Sequence, residues 1–358
     1  MRSPSLRGIR KAVIPILNVA YHSGLYRAVG SVYAGRGVIF SMHRFAAPGQ
    51  CVLHPGHVLG TDVLDETLGT VRRLGWDIVT IDEVYDRLAG EMPTKGSGIL
   101  RSRRFACFTS DDGFADNLTL ALPVFRKHKA PLCVYIATGQ VERTIFYWAG
   151  ANEELILKSD RIELPAICGC GARTLRAETF EEKVLAYQTL DELCHRLGDT
   201  FFPILHEMYK RQGVDAQRNL DRLALSLDQA KTLGSDPLVT IACHCVSHQR
   251  LSLLSEKDAY FEIEQGRRTL ERWFNMEVRH LAYPFGRSDA CGPREFGLAK
   301  GAGFKTAVTT RPGNIFPGHH DRLHCLPRRS IPLNLFNLRN ALFGVETILR
   351  NERKFQTT

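Results

Sequence analysis

The chain has 358 residues, of which 44% are hydrophobic, and it carries a formal net charge of +9. This length and composition exclude a globally disordered chain and allow one large domain or two smaller ones. The basic charge is compatible with nucleic acid, anionic glycans or a membrane surface as partners, but the sequence has no dense basic run with interleaved aromatic residues. We therefore predict a solvated basic surface and no nucleic-acid partner.

The ten cysteines form no Cys-x2-Cys pair. This pattern argues against a zinc ribbon, gives no disulfide framework and favours a reduced, cytoplasmic setting. Residues 5–32 are typical of an amphipathic helix, for which packing on the domain is the default and contact with an anionic membrane the alternative. We expect no signal peptide and no transmembrane segment.

Downstream of this segment, short apolar runs alternate with amphipathic stretches. The predicted strands cover 37–42, 77–80, 105–109, 132–137, 238–242, 281–283 and 305–309, and the predicted helices cover 61–74, 81–89, 117–128, 255–274 and 294–301. This alternation favours a parallel α/β barrel or open sheet whose functional site lies at the carboxyl ends of the strands. Between about 139 and 236 the strand signal fades, which predicts a helical insertion.

We therefore divide the chain into three parts. An N-terminal helical segment covers 1–36, an α/β domain with the helical insertion at about 139–236 covers 37–335, and a C-terminal tail covers 336–358.

Two strand ends carry residues with recognisable chemistry. Asp111 and Asp112 follow the strand at 105–109, and adjacent carboxylates usually need a counter-charge such as a metal ion. His244 and His248 follow the strand at 238–242, and on a helical turn this spacing would place both imidazoles on one face. Each motif alone has an ordinary structural explanation, since Asp-Asp-Gly suits a turn.

Together the two segments predict a metal site. Asp112, His244 and His248 would hold the ion and leave room for water and substrate, as in a catalytic zinc site. Asp111 would remain free to take a proton from the attacking water. This combination indicates hydrolysis of an amide or ester.

These motifs resemble those of the polysaccharide deacetylases, the NodB-homology or carbohydrate esterase family 4 enzymes. The run Thr109-Ser110-Asp111-Asp112-Gly113 resembles their Thr-Phe-Asp-Asp-Gly motif, and His244 to Leu251 resembles their His-Thr-x-x-His-Pro-x-Leu motif. Tyr283-Pro284-Phe285-Gly286 resembles the third motif, and Gly37 to Arg44 resembles the first strand of many members. The resemblance runs from about Gly37 to Ile331, with the insertion interrupting it.

The resemblance implies a distorted (β/α)7 barrel in which Asp111 is the general base. It implies a divalent cation, most commonly zinc, on Asp112, His244 and His248. The backbone N–H of Phe285, directly after Pro284, would stabilise the oxyanion, where a fixed donor contributes about 3 kcal/mol. The implied reaction removes N-acetyl groups from an amino-sugar polysaccharide or chitooligosaccharide.

Two departures from the family pattern concern the catalytic residues. Many members carry an Arg two residues before Pro284, whereas this chain has Ala282, so we nominate Arg328 in Leu326-Pro327-Arg328 to orient Asp111. The usual general acid, a His in a Leu-x-His motif, has no clear counterpart, and His324 and His43 are rival candidates. We interpret Cys243 and Cys245, which flank His244, as packing thiols and not as ligands.

Our hypothesis is a metal-dependent N-deacetylase acting on an amino-sugar oligo- or polysaccharide. The alternatives are an amidohydrolase acting on a non-sugar amide and a catalytically weak glycan-binding protein with the same fold. A weaker alternative is a protein that binds nucleic acid or a membrane surface.

Overall fold

The computed structural model describes residues 33–50, 52–54, 56–90, 103–167 and 171–344. The predicted helix over 5–32 lies outside them. The strands are β1 (Gly37–Met42), β2 (Arg44–Ala46), β3 (Val58–Gly60), β4 (Asp77–Val79), β5 (Phe105–Ser110), β6 (Leu132–Ile136), β7 (Arg161–Leu164), β8 (Arg173–Arg176), β9 (Val239–Cys243), β10 (His280–Ala282), β11 (Thr306–Val308) and β12 (Arg329–Ser330).

The α-helices surround these strands and match most of the predicted spans. They are α1 (Thr61–Arg73), α2 (Ile81–Ala89), α3 (Leu122–Lys127), α4 (Thr138–Val141), α5 (Trp148–Lys158), α6 (Phe180–Leu197), α7 (Phe202–Arg211), α8 (Ala216–Leu223), α9 (Leu227–Gly234), α10 (Glu256–Phe274), α11 (Pro293–Gly301) and α12 (Leu335–Leu342). The predicted helix over 117–128 instead begins with a π-helical turn, Asn117–Ala121, before α3. Helix α12 lies in the predicted C-terminal tail except for its first residue, Leu335, which is the last residue of the predicted domain.

One curled sheet forms the centre of the molecule. Its strands follow the order β11-β10-β9-β6-β5-β1-β12, and β4 also pairs with β5. The pairings in this sheet are parallel. Every residue of β1, β5 and β6 is buried, as expected for strands covered on both faces.

The segment that contains Leu326 and leads into β12 connects β11, at one edge of the sheet, with β1. The N–H of Leu326 donates to the carbonyl of Ala307, and the N–H of Thr309 donates to the carbonyl of Leu326. A few residues later, β12 pairs with β1. The sheet is thus curled into a barrel-like form, which confirms the predicted fold class and places Arg328 beside the carboxyl ends of β1 and β5.

The insertion is helical, as predicted, but it also contains a hairpin. Strands β7 and β8 pair antiparallel, which the sequence analysis missed. In β7 the side chains alternate, with Ile162 and Leu164 buried and Arg161 and Glu163 exposed. The alternation spans only four residues and lies between charged helical stretches, so the sequence showed no recognisable strand pattern there.

The insertion has its own apolar cluster, separate from the clusters around the central sheet. Its buried members include Leu155, Leu164, Leu190, Phe201 and Leu205. Helix α6, the longest of the insertion, begins with a capping box between Thr179 and Glu182. A packed cluster and a well-capped long helix give the insertion a fixed shape, so its side chains can form a defined surface.

No helix within the described residues has the length and apolarity that a membrane crossing requires.

Candidate active site

Asp112, His244 and His248 meet at the carboxyl ends of β5 and β9. The Nε2 atom of His244 lies 3.3 Å from Asp112 Oδ1, and the Nε2 atom of His248 lies 3.2 Å from the same oxygen. Within the described residues this is the only group of three or more His, Cys, Asp or Glu side chains whose ligand atoms all lie within 4.8 Å of one another. The structure therefore brings the three predicted ligands together.

The donor set fits a divalent cation. Asp112 Oδ1 is buried and has no hydrogen-bond partner among the described groups, although two imidazole nitrogens point towards it. Two imidazoles and one carboxylate are a common ligand set for catalytic zinc. The Nδ1 atom of His244 lies 2.7 Å from the carbonyl of Ala282, which fixes the ring and leaves Nε2 facing the carboxylate.

The histidine pair does not lie on a helical turn, contrary to our prediction. Residues 244–250 form an irregular loop after β9, and Cys245 and His248 have φ values of 63° and 56°. Glu262 of α10 holds this loop: its carboxylate accepts hydrogen bonds from the N–H groups of Val246 and Ser247 at 3.0 and 2.8 Å, and from the Ser247 hydroxyl at 2.7 Å. Nothing in the local sequence indicated Glu262, because this support comes from a separate helix.

Asp111 is held by Arg328, the residue nominated in place of the missing Arg at position 282. The guanidinium donates two hydrogen bonds of 2.7 Å, one to each carboxylate oxygen, and both side chains are almost completely buried. Burial alone would raise the pKa of Asp111, but the charge and hydrogen bonds of Arg328 hold it below its usual value. Asp111 is therefore an ionised carboxylate at neutral pH.

The two histidines considered as the general acid lie in different places. His43 borders the cavity, with Nε2 4.0 Å from Asp111 Oδ2, and its backbone carbonyl accepts hydrogen bonds from Ser110 and Asn117. Burial lowers the pKa of His43, although the charges of Asp112 and Asp111 oppose this effect.

His324 does not reach the cavity, so its nomination is not supported. Its Nε2 atom contacts the carbonyl of Phe304 at 2.7 Å. The neighbouring Leu323 accepts a hydrogen bond from the N–H of Ala307, in the middle of the three-residue strand β11. Residue 324 thus lies level with β11, before the chain reaches the carboxyl ends of the strands where the reaction centre lies.

Phe285 follows Pro284 at the end of β10 and also borders the cavity. Its φ of 61° is unusual for a residue with a side chain, and within the described chain its backbone N–H has no hydrogen-bond partner. The next residue must be glycine: a Cβ on Gly286 would lie 2.5 Å from the backbone nitrogen of Thr310. This tight turn leaves the Phe285 N–H available to a ligand.

The cysteines beside His244 are packing thiols, as interpreted. Cys243 and Cys245 are fully buried, and neither belongs to the Asp-His-His group. Burial raises the pKa of the Cys243 thiol to about 12 and that of Cys245 well above its usual value. Both therefore remain neutral thiols at neutral pH.

A cavity of about 580 Å³ is lined by the central groups of the site, namely His43, Asp111, Asp112, His244, His248, Phe285 and Arg328. Part of its lining comes from the insertion and from the loop between β2 and β3, which the sequence analysis did not connect with the site. These residues are His54, His57, Phe146, Tyr147, Trp148, Glu153, Tyr187, Asp191 and His195. The only sequence signal was the spacing of Asp191 and His195, which places them on one face of α6.

Comparisons with known proteins agree with this fold. A family model described as polysaccharide deacetylase matches residues 183–295, which include the histidine pair and Pro284 but not the aspartate pair. No match was found among curated proteins. Solved structures with TM-scores of 0.51 to 0.53 share 17% identity or less with the chain, so they support the fold alone.

Three similar structures come from bacteria. The deacetylase PplD of Streptococcus pyogenes, in complex with acetate, has a TM-score of 0.52 and 17% identity, covering 83% of this chain and 93% of its own. IcaB of Ammonifex degensii has a TM-score of 0.53 and 17% identity, covering 87% and 97%. A de-N-acetylase of Aggregatibacter actinomycetemcomitans has a TM-score of 0.51 and 10% identity, covering 85% and 99%. The family match and the shared fold confirm the predicted resemblance of this chain to the polysaccharide deacetylases.

Proposed function

We propose that the chain is a metal-dependent N-deacetylase that hydrolyses N-acetyl amides of amino sugars in an oligo- or polysaccharide. The observation that carries this proposal is that the two adjacent carboxylates have different partners. Asp112 points to His244 and His248, whereas Asp111 is paired with Arg328 in the same cavity. One carboxylate is therefore available to an ion, and the other to a proton.

Asp112, His244 and His248 would hold the cation, and their chemistry favours zinc. When bound, a divalent cation polarises the amide carbonyl and acidifies the attacking water. The cavity residues account for the remaining steps. Asp111 takes a proton from the water, and Arg328 keeps its carboxylate ionised and oriented.

The Phe285 N–H would donate to the oxyanion that forms on the former carbonyl oxygen. His43 is our choice for the residue that protonates the leaving amine, because it borders the cavity and lies 4.0 Å from Asp111. When the C–N bond breaks, the nitrogen receives one proton and leaves as the free amine, and the acyl group leaves as acetic acid, which releases its proton at neutral pH to give acetate. A short separation between His43 and Asp111 would allow the proton taken from water to reach the amine.

Acetate release from N-acetylglucosamine oligomers tests this function directly. The zinc-loaded protein is expected to release acetate, a chelator to abolish the release and added zinc to restore it. His324→Gln is the matched control, since His324 lies outside the cavity and its replacement is expected to leave the rate unchanged. Absence of acetate with every divalent metal tried would contradict the proposal.

The same assay separates the alternatives. Release of acid from simple acetamides but not from sugars would favour an amidohydrolase for non-sugar amides. Binding of the oligomers without any release of acetate would favour a glycan-binding protein.

A further inference from the structure

The helical insertion leaves the barrel and returns to it through two segments. The entry segment, 138–144, follows β6, and Val141 within it still belongs to the apolar cluster of the central sheet, whereas Phe146 packs against the cluster of the insertion. The exit segment, 221–225, covers the end of α8 and the two residues after it, and Leu225 belongs again to the central cluster. We call these two segments together the neck of the insertion.

One side chain, that of Arg143, joins the two segments of the neck. Its guanidinium donates to four backbone carbonyl oxygens at distances from 2.7 to 3.2 Å. These carbonyls belong to Gln140 and Val141 in the entry segment and to Ala224 and Leu225 in the exit segment. The Nε atom also donates to Oδ1 of Asp221 at 3.0 Å. A guanidinium, with five N–H donors in a rigid fork, can join several acceptors in this way, which a single ammonium group does less well.

The backbone at Arg143 supports the importance of these contacts. Its φ is 63°, in the left-handed region that residues with a side chain seldom adopt. A glycine would reach this conformation without strain, yet the sequence places an arginine here, and its side chain is only 22% exposed. The contacts of the guanidinium therefore offset a strained backbone conformation.

Both segments of the neck are hydrogen-bonded to the loops that carry the proposed metal ligands. In the exit segment, the N–H of Leu225 donates at 3.0 Å to the carbonyl of Gly113, which directly follows the aspartate pair. In the entry segment, the N–H of Gly139 donates at 2.9 Å to the carbonyl of Val246, two residues before His248. Each ligand loop thus has one direct backbone contact with the neck.

The contact at Gly139 tolerates little movement. A Cβ at this position would lie 2.8 Å from the carbonyl oxygen of Val246 and 2.9 Å from Oγ1 of Thr144. Beside it, the N–H of Thr138 donates to the carbonyl of Cys245 at 3.2 Å. The entry segment therefore lies directly against the loop after β9, so that a displacement of one displaces the other.

We propose that Arg143 is a positioning residue that couples the insertion to the metal site. By holding the entry and exit segments together, it fixes the two stretches of backbone against which the loops of Asp112 and His248 rest. This inference rests on the proposed metal-dependent function and extends it, because a side chain outside the reaction centre then determines how firmly the cation is held.

Zinc affinity and the visible spectrum of bound cobalt test this inference independently of catalysis. Arg143→Met removes the guanidinium and keeps an aliphatic stem, whereas Arg143→Gly removes the side chain but adopts the observed φ without strain. In both variants zinc affinity is expected to fall by about 10- to 100-fold, the usual effect of losing an outer support. The absorption of the cobalt-loaded protein is expected to change, because it reports the geometry of the ligands. Competition with a chromogenic chelator measures the zinc affinity.

Arg161→Met on β7 is the matched control, because Arg161 is exposed and pairs with Glu178 within the insertion. Its zinc affinity and cobalt spectrum are expected to equal those of the wild type. Circular dichroism and urea unfolding identify which metal-free variants are folded, and Arg143→Lys, which keeps the charge and stem, replaces any variant that is not. Wild-type zinc affinity and an unchanged cobalt spectrum in the folded Arg143 variants would overturn the inference, even if those variants were less stable.

The same measurements separate this inference from the proposed function. Zinc binding by the wild type without acetate release contradicts the deacetylase function alone. Acetate release by the wild type, together with equal zinc affinity in the wild type and the Arg143 variants, contradicts the role of Arg143 alone.

Discussion

The reaction centre and the neck of the insertion adjoin each other but differ in how they hold the functional side chains in place. At the reaction centre, supports from the barrel hold the functional groups: Arg328 holds Asp111, Ala282 holds His244, and Glu262 holds the loop that carries His248. In the neck, the guanidinium of Arg143 holds backbone carbonyls of two segments, and these segments in turn support the loops of the metal ligands. The first region acts on the functional side chains through direct contacts, and the second acts on them only through the backbone.

This difference predicts two classes of variant. Changes at the reaction centre should act on the chemical step or on a side chain that takes part in it, and changes in the neck should act on the affinity and geometry of the bound cation.

Asp111→Asn is expected to have the largest effect, because it removes the proton acceptor and keeps the shape of the side chain. Loss of a general base reduces kcat by about 100- to 10,000-fold. The loss should be similar for monosaccharide and oligosaccharide, and zinc binding should remain, since Asp112 and the two histidines are unchanged. A rate near the wild-type value would show that Asp111 is not the base.

Arg328→Ala should strongly destabilise the fold. It leaves the Asp111 carboxylate buried without its partner, and breaking a buried ion pair in this way costs about 3–5 kcal/mol. Urea unfolding of the metal-free protein measures this change in the free energy of unfolding. The double variant Asp111→Asn with Arg328→Met removes both charges and should recover much of the stability; equal destabilisation in both proteins would mean that the charge pair is not the cause.

Glu262→Gln should weaken zinc binding without removing a ligand. The amide accepts fewer hydrogen bonds from Val246 and Ser247, so the loop that carries His248 is held less firmly. Loss of an outer support typically lowers metal affinity by about 10- to 100-fold. Competition with a chromogenic chelator measures the affinity, and Glu264→Gln on the same helix is the control, because Glu264 pairs with Arg268 instead. Unchanged affinity in Glu262→Gln would limit Glu262 to a packing role.

The smallest expected effect is on the pH dependence of stability, and it arises at the ionic contacts between the barrel and the insertion. Arg44 lies 3.4 Å from Asp116 and 3.3 Å from Glu153 of α5. Burial raises the pKa of Asp116 from 3.8 to about 6, even though Arg44 opposes this shift. The folded protein therefore binds a proton more tightly here than the unfolded chain, so this contribution to stability is present at low pH and is lost as the pH rises from about 4 to 6.

Asp116→Asn removes this titration. The free energy of unfolding of the metal-free wild type, minus that of the variant, should therefore decrease between pH 4 and pH 7. Urea unfolding at a series of pH values measures this difference. A difference that stays constant or increases with pH would contradict the assigned direction of the shift.

The strand rhythm and the reaction motifs could be predicted from the sequence because both are local. The strand at 37–42 and the helix at 81–89 match the structure residue for residue, since a buried parallel strand is a continuous apolar run and α2 has a strong cap at Thr80. Asp111 with Asp112, and His244 with His248, each occupy one short segment after a strand. Parallel strands end at the same edge of the sheet, so the two motifs were expected to meet.

The tertiary structure alone decided the features that depend on distant segments. The pairing of Asp111 with Arg328 joins residues 217 positions apart, and its two hydrogen bonds depend on how the segment after Leu326 returns to β1. Likewise, His324 and His43 were equal rivals until the barrel placed only His43 at the cavity. The neck and the loops that it supports combine residues from segments that lie far apart in the chain, and no local sequence pattern connects them. Sequence determines chemistry where neighbouring residues share a strand end, whereas packing decides which distant side chains come within contact distance.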